Sequence, residues 1–342
     1  MIKRLLSLFL ALLSVLSLAA CGGAEAEART VYTMDTVMEL TVYAKRSREA
    51  AAALDAAESL LYQLDALLDR HDEKSALSTL NAEGRFEDDT LAPLIAAALD
   101  ISRATGGAFD PTVAPVMDAW DFTGEPRVPS DEELEALLAL VGSENVALDG
   151  ERVTLTNGAQ LDLGGIAKGY AGDRVRALLR EMDIESAVID LGGDVGLLGA
   201  KSDGSDWRIA VKDPAEPSQF LGVLTASDCF IVTSGVYERY FEENGVRYHH
   251  ILDPKTGRSA ESGLVSVTVV CENGTWADAL STACFVLGEE GSLALRDTLA
   301  AQGLADFELI FVTDDGRVRY TGGLRERFAP SEEGEYTYEC LA

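Results

Sequence analysis

Basic residues are scarce in this chain of 342 residues: 28 lysines and arginines stand against 58 aspartates and glutamates, for a formal net charge of −30. A surface this acidic repels nucleic acids and anionic lipids, which argues against binding of polyanions through bulk charge. An anionic small ligand would need local compensation from a cation or from backbone dipoles. Hydrophobic residues make up 47% of the chain, enough to bury a sizeable core.

Cysteines and histidines are few, five and three respectively. No two cysteines form a CxxC pair and none lies near a histidine, which argues against a zinc site. Disulfides stay possible among four cysteines, and the sequence indicates no pairing: Cys229, Cys271, Cys284 and Cys340. The chain also lacks the GxxxxGK[ST] and GxGxxG spacings of the common nucleotide-binding loops.

The N-terminus has the pattern of a secretory signal. Lys3 and Arg4 precede an apolar stretch over residues 5–20, which is too short for a comfortable membrane span. The stretch ends in "LAAC", which resembles a bacterial lipobox with Cys21 as the lipidated residue; the alternative is an ordinary signal with a chance cysteine. We therefore predict a signal peptide over 1–20, a tether over 21–30 and an extracytoplasmic protein that acyl chains anchor to the bacterial membrane.

Hydrophobic periodicity predicts strands in hairpins with interspersed helices. Strict βαβ alternation is missing, so the expected fold class is α+β with largely antiparallel sheets, and a Rossmann sheet is disfavoured. The main predicted elements are one strand over 31–44, helices over 47–68, 90–104, 166–182 and 289–302, a helix over "TWADALSTACFVLG", a strand over 264–271, and hairpins about Asn157-Gly158, Asn244-Gly245 and Asp315-Gly316.

The stretch "LDLGGIAKGYAGDRV", residues 161–175, joins a predicted strand to a helix through a turn almost without side chains. Free backbone N–H groups at a helix start favour an anion, and glycine lets a phosphate come close. Lys168 would add a charge, and Asp162 would accept hydrogen bonds from a ligand. The alternative is a tight left-handed turn with an exposed lysine.

A second candidate site lies in "ADALST", where Asp278 and Thr282 are four residues apart and share one face of a predicted helix. A carboxylate and a hydroxyl together suit a hard cation such as Mg²⁺. The alternative is a solvated aspartate and a threonine bonded back to its own helix.

Three further motifs carry residues able to contact a ligand. In "YHHILDPKTG", His249 and His250 end a strand, and either would serve as a ligand contact, a general base or a structural residue. In "TGGAFDPT", Phe109 would pack on a flat ligand or in the core. In "LGGDV", Gly192 and Gly193 indicate either a close backbone approach or a β-bulge.

Taken in order, these motifs resemble the FAD:protein FMN transferase family, the ApbE-like flavin lipoproteins. The resemblance covers about residues 31–325 and rests on seven segments: "TMDT", "SALSTLN", "GGAFDPT", "LDLGGIAKGYAGD", "DLGGDV", "HHILDPKTG" and "ADALSTA". It implies a single catalytic flavin transferase domain over 31–328, related to the tunnelling fold and followed by an acidic tail over 329–342.

The resemblance also implies a reaction. FAD binds with Mg²⁺ on its pyrophosphate, a threonine hydroxyl of an exported or membrane flavoprotein attacks the FMN-side phosphorus, and AMP leaves. Two alternatives stay open: a Mg²⁺-dependent FAD pyrophosphatase that uses water as the nucleophile, and a flavin-binding lipoprotein without catalysis.

The family's functional positions fall on particular residues here. The resemblance implies metal ligands at Asp278, Thr282 and the carbonyl of Gly165, and catalytic roles for Asp278 and for His250 as base or orienting group. His71 stands where members often carry an aromatic residue against the flavin. The positions implied to contact FAD are Met34, His71, Ala108, Phe109, Asp110, Asp162, Lys168 and His250.

Overall fold

The computed structural model describes residues 25–216, 218–332 and 334–341. The predicted signal peptide and Cys21 lie outside these ranges. The helices of the described residues are α1 Ser47–Leu68, α2 Ala76–Glu83, α3 Leu91–Ala104, α4 Ala114–Trp120, α5 Asp131–Leu138, α6 Ala167–Glu181 and α7 Gly274–Gln302. The strands are β1 Glu25–Thr33, β2 Thr36–Ala44, β3 Arg85–Glu87, β4 Val146–Asp149, β5 Arg152–Leu155, β6 Ser186–Asp190, β7 Val195–Leu198, β8 Trp207–Lys212, β9 Phe220–Ala226, β10 Phe230–Gly235, β11 Tyr240–Glu243, β12 Val246–His249, β13 Leu252–Asp253, β14 Arg258–Ser259, β15 Leu264–Cys271, β16 Phe307–Thr313, β17 Arg317–Tyr320, β18 Phe328–Pro330 and β19 Thr337–Cys340.

A nine-stranded sheet organises the fold, in the order β1-β2-β6-β7-β10-β15-β16-β17-β19. Its neighbours pair antiparallel except β17 and β19, which are parallel. Helices α1, α6 and α7 pack against this sheet, and α6 contacts both α1 and α7. A small sheet of β18, β9 and β8 shares an apolar cluster with strands of the large sheet. The predicted α+β class with largely antiparallel sheets is confirmed.

Helix α1 shows how the sequence builds these layers. Its leucines recur at helical spacing, and Leu54, Leu61 and Leu64 are almost completely buried. The opposite face is polar, so the helix covers the sheet with one stripe. No helix within the described ranges combines the length and apolar character needed to span a membrane.

The N-terminal strand differs from its prediction. Residues 31–44 form the end of one strand and all of the next, joined by a turn at Met34 and Asp35 with φ of 49° and 56°. Both are non-glycine residues in the left-handed region, an uncommon conformation that the sequence pattern did not reveal. Residues 25–30, predicted as part of a tether, belong to β1 and pair with β2.

The predicted hairpin about Asn157-Gly158 is wrong in its second half. Strand β5 pairs with β4 and β3, while residues 159–163 form no strand. Their polar backbone atoms find other partners: the Asn81 side chain bonds both the N–H and the carbonyl of Leu161, and the Asp162 N–H donates to the Pro111 carbonyl.

Two more predicted boundaries, both in the C-terminal part of the chain, differ in the structure. Helix α7 continues through the two predicted helices and kinks at Gly288, whose φ of 69° only glycine adopts readily. The boundary predicted at residue 328 is no break in the structure, because β18 pairs with β9 and β19 pairs with β17. The four cysteines of the described residues are free thiols, three of them buried.

Candidate active site

Helices α6 and α7 touch at two glycines, and this contact creates the site. A Cβ at Gly169 would lie 2.1 Å from the Gly274 carbonyl oxygen and 2.7 Å from Asp278 Cβ, so no larger residue fits without a backbone shift. The close approach lets the Gly169 N–H donate to Asp278 Oδ2 at 2.9 Å. The start of α6 and the first turns of α7 are thereby joined through a buried carboxylate.

The start of α7 is also fixed by α6. Asp173 of α6 accepts hydrogen bonds from the N–H groups of Gly274 and Thr275 and from the Thr275 hydroxyl. Asn273 caps the helix by accepting from the Trp276 N–H at 2.9 Å. These bonds satisfy the N–H groups that a helix start leaves unpaired and hold Asp278 in register with α6.

Lys168 lies between two buried carboxylates. Its ammonium group bonds Asp194 and stands 3.9 Å from Asp278 Oδ1, and both aspartate side chains are only 5% exposed. Burial alone would lower the pKa of Lys168, but the two carboxylates outweigh it and raise that pKa. Burial, together with the charge of Asp278, raises the pKa of Asp194 in spite of Lys168. The lysine is therefore a fixed cation inside the site, in contrast to the exposed lysine of the alternative interpretation.

Thr282 faces the glycine turn. A Cβ at Gly165 would lie 3.5 Å from Thr282 Oγ1 and 3.3 Å from the ring of Phe109. The hydroxyl of Ser281 bonds back to the Asp278 carbonyl, but within the described chain the Thr282 hydroxyl has no such bond. Because Asp278 is buried and Thr282 does not bond its own helix, neither part of the structural alternative for this pair holds.

The glycine turn itself is more occupied than predicted. Of the six N–H groups from Gly164 to Gly169, four have acceptors: Asp162 Oδ1, the Leu163 carbonyl twice, and Asp278 Oδ2. The expectation of freely available N–H groups therefore holds only for Gly165 and Lys168. The remaining sources of positive potential at this point are Lys168 and the direction of helix α6, and the carboxylates of Asp194 and Asp278 offset the charge of Lys168.

The sequence matches a known family over most of its length. The model of the ApbE family covers residues 34–305, a range that includes the glycine turn, Lys168 and the Asp278–Thr282 pair. This chain belongs to the ApbE family.

Similar proteins from several bacteria share the name FAD:protein FMN transferase. The chain is 35% identical to FAD:protein FMN transferase of Treponema pallidum, over 90% of this chain and 91% of that protein. It is 36% identical to FAD:protein FMN transferase of Klebsiella pneumoniae, over 84% and 92% of the two chains. Among solved structures, the ApbE protein of Thermotoga maritima superposes with a TM-score of 0.78 at 35% identity, covering 90% and 97% of the two chains. The apo flavinyl transferase ApbE of Pseudomonas stutzeri gives 0.75 at 31% identity, covering 92% and 97%.

The segment over 108–110 lies beside the glycine turn of this ApbE-family chain. Ala108 and Phe109 are buried, and the Phe109 ring lies between the main core and Gly165. The Asp110 carboxylate accepts from the Thr112 N–H and hydroxyl and from the Ser102 hydroxyl. It therefore shapes the loop before α4, and its contact with FAD stays a prediction.

His250 follows β12 and is half-buried. Its Nδ1 lies 3.2 Å from the Arg239 carbonyl oxygen, so Nδ1 carries the proton and Nε2 is left as an acceptor. Burial lowers the pKa of His250 to about 4, and the charges of Arg239 and Lys168 act in the same direction. His249 is buried instead, bonds the Ala260 carbonyl and packs edge-on against Phe285, as a structural residue does.

Within the described residues, no side-chain hydrogen bond or ion pair joins His71 or Met34 to this cluster. His71 is exposed, and its backbone N–H bonds Asp69. Met34 occupies the β1–β2 turn and packs against the main core. At the β6–β7 turn a close approach is present, but it is made by Thr36, whose Oγ1 would lie 2.2 Å from a Cβ at Gly192.

Three residues of the site escaped the sequence analysis. Asp194 lies inside the quoted motif "DLGGDV", and Asn81 ends the quoted motif "SALSTLN", so both carried a signal. Arg70 lies next to His71 and forms ion pairs with Asp118 and Asp162; it belongs to none of the quoted motifs. No three histidine, cysteine, aspartate or glutamate side chains of the described ranges are grouped to hold a metal. A cation here would need oxygens of other kinds as well.

Proposed function

We propose that this chain transfers the FMN part of FAD to a hydroxyl group of an acceptor protein, with release of AMP. One observation carries the proposal: Asp278 and Thr282 face the glycine turn from a single face of α7, with Gly169 N–H on Asp278 and Thr282 Oγ1 beside Gly165. The relatives named FAD:protein FMN transferase, which match along nearly their whole length, support the same reaction.

The donor set fits Mg²⁺. Asp278 supplies a buried carboxylate, and Thr282 supplies a hydroxyl without a partner in its own helix. Gly165 supplies a backbone carbonyl, and because it has no side chain the space in front of Thr282 stays open. These are the hard oxygen ligands that Mg²⁺ takes together with phosphate oxygens. When bound, the ion would neutralise charge on the FAD diphosphate and polarise the bond to the leaving AMP.

The chain's own residues position the reactants. Lys168, held by Asp194, places a fixed positive charge at the start of α6, where an anionic diphosphate would otherwise meet a chain of net charge −30. Because phosphoryl transfer depends mainly on positioning and electrostatic stabilisation, such a site needs few reacting side chains.

His250 is the proposed base or orienting group for the acceptor hydroxyl. Its Nδ1 proton is committed to the Arg239 carbonyl, so Nε2 is free to take the proton of an incoming hydroxyl. The lowered pKa keeps the ring neutral at pH 7. We further propose that the acceptor is an exported or membrane flavoprotein that presents a threonine.

The N-terminal signal pattern and Cys21 support a location at the membrane. Strand β1 begins at Glu25, four residues beyond Cys21, so a lipidated Cys21 would hold the domain close to the bilayer. Labelling with radioactive palmitate in a bacterial host, compared between the wild type and Cys21→Ala, tests this anchor; label retained by the variant would refute it.

A single experiment separates the candidate activities. The full chain, purified in detergent, is incubated with FAD, Mg²⁺ and a candidate acceptor domain. We expect covalent flavin fluorescence on the acceptor after denaturing electrophoresis, together with AMP. Free FMN plus AMP without labelled acceptor would indicate FAD hydrolysis, and unchanged FAD would indicate binding alone; either result would refute the proposed transfer for that acceptor. Threonine-to-valine substitution in the acceptor is the matched control.

A further inference from the structure

Arg70 stands in the loop between α1 and α2, and its side chain is 14% exposed. Its Nε lies 3.0 Å from Asp162 Oδ2, and its Nη2 lies 2.7 Å from Asp118 Oδ1. We propose that Arg70 is a positioning residue, which acts through Asp162 to hold the glycine turn in the form that binds FAD. This inference rests on the proposed function, in which the turn receives the FAD diphosphate.

The loop that carries Arg70 is held by its own hydrogen bonds. Asp69 Oδ1 accepts from the His71 N–H at 2.8 Å, and Asp72 Oδ1 accepts from the Lys74 N–H at 3.0 Å. Ser75 then caps α2 by accepting from the Ser78 N–H. A guanidinium on such a frame loses little conformational freedom when it bridges two carboxylates, which its planar fork of donors suits.

The Asp162 carboxylate links Arg70 to the glycine turn. While Arg70 holds Oδ2, Oδ1 accepts from the Gly164 N–H at 2.7 Å. The Asp162 N–H donates to the Pro111 carbonyl, and Asn81 clamps the backbone of Leu161. Gly165, which follows Gly164 in the turn, lies beside Thr282 and Phe109. One continuous set of contacts thus runs from Arg70 to the proposed metal ligands.

Charge gives Arg70 a second effect on the same step. Without Arg70, Asp162 would keep a negative charge next to the turn with no cation on it, and the FAD diphosphate would be repelled. The two nearby carboxylates raise the pKa of Arg70 although burial alone would lower it, so the guanidinium stays charged. Loss of Arg70 should therefore weaken FAD binding more than it slows the chemical step.

The test compares Arg70→Met, Arg70→Lys, Asp162→Asn and the double variant Arg70→Met/Asp162→Asn in the full chain. Removal of the ion pair with Asp162, which is only partly exposed to solvent, should raise the Kd for FAD about tenfold in Arg70→Met. The turnover number should change less than the KM, and Arg70→Lys should fall between the wild type and Arg70→Met. Because Arg70 acts through Asp162, its replacement should add little in the Asp162→Asn background. Arg152→Met, which removes an exposed ion pair with Glu87, is the matched control.

Several outcomes would overturn the inference. One is an unchanged Kd for FAD in Arg70→Met; another is a full additional loss in the double variant, which would mean that Arg70 acts independently of Asp162. Equal losses in turnover and Kd, with a lowered melting temperature, would indicate general unfolding instead. If FAD binding responds as expected but no acceptor is flavinylated by the wild type, the proposed function fails while the role of Arg70 in FAD binding stands.

Discussion

Replacement of Asp278 by asparagine is the most direct test of the site. Asparagine has nearly the same shape, and its side-chain oxygen can still accept from the Gly169 N–H, now 2.9 Å from Asp278 Oδ2. The change therefore keeps the packing of α6 on α7 and removes one negative charge. The amide nitrogen would take the position of Oδ1, which faces the Lys168 ammonium at 3.9 Å.

The magnitude follows from this geometry. A carboxylate and an ammonium 3.9 Å apart interact by about 4 kcal/mol at an effective dielectric constant of about 20. In Asp278→Asn that attraction is lost, and so is the anionic ligand of the proposed Mg²⁺. Loss of one preorganised electrostatic group typically lowers kcat about 10²- to 10³-fold, or about 2.7–4 kcal/mol, and we expect a decrease of at least this size in transfer.

The assay is flavin transfer measured over a range of Mg²⁺ concentrations, with thermal melting in parallel. We expect Asp278→Asn to lose most activity and to need far more Mg²⁺ for what remains. The variant should melt at a lower temperature but still fold, because Lys168 keeps its ion pair with Asp194. The control is Asp297→Asn, the same substitution at a 72% exposed position of the same helix, which should behave as the wild type. Wild-type activity with unchanged Mg²⁺ dependence in Asp278→Asn would refute the metal assignment.

Three further predictions concern packing, thiols and pH. Gly169→Ala should destabilise the fold by about 1–3 kcal/mol or more in urea unfolding, because its Cβ would overlap the Gly274 carbonyl; unchanged stability would contradict the close helix contact. Burial raises the pKa of Cys229 and Cys271 to about 11 and that of Cys284 to about 12. In the folded chain without Cys21, a thiol reagent should therefore modify only Cys340, and fast modification of more thiols would refute this. The pKa of His250 is about 4 in the folded chain and about 6.5 in the unfolded chain, so its contribution to stability is complete above pH 6.5 and is lost as the pH falls toward 4. Relative to His250→Asn, the free energy of unfolding of the wild type should therefore fall by about 1–2 kcal/mol between pH 7 and 5, and parallel pH profiles would disprove the shift.

Elements whose pattern is local were predictable from the amino-acid sequence. The helix α1 with its leucine stripe and the hairpin turns at Asn244-Gly245 and Asp315-Gly316 appear where periodicity and turn chemistry predict them. The reason is that helix caps, amphipathic stripes and tight turns depend on residues a few positions apart. The same holds for the Asp278–Thr282 pair, since both lie on one helix face.

Contacts between residues far apart in the chain became known from the folded structure alone. Residues 159–163 alternate like a strand, yet they form none, because Asn81 and the Pro111 carbonyl bond the backbone that a partner strand would have bonded. Asp194 and Arg70 are ordinary charged residues in sequence, and they belong to the site because the fold places them against Lys168 and Asp162. Burial, and with it the state of each charge, depends on contacts between residues far apart in the chain, which no local pattern encodes.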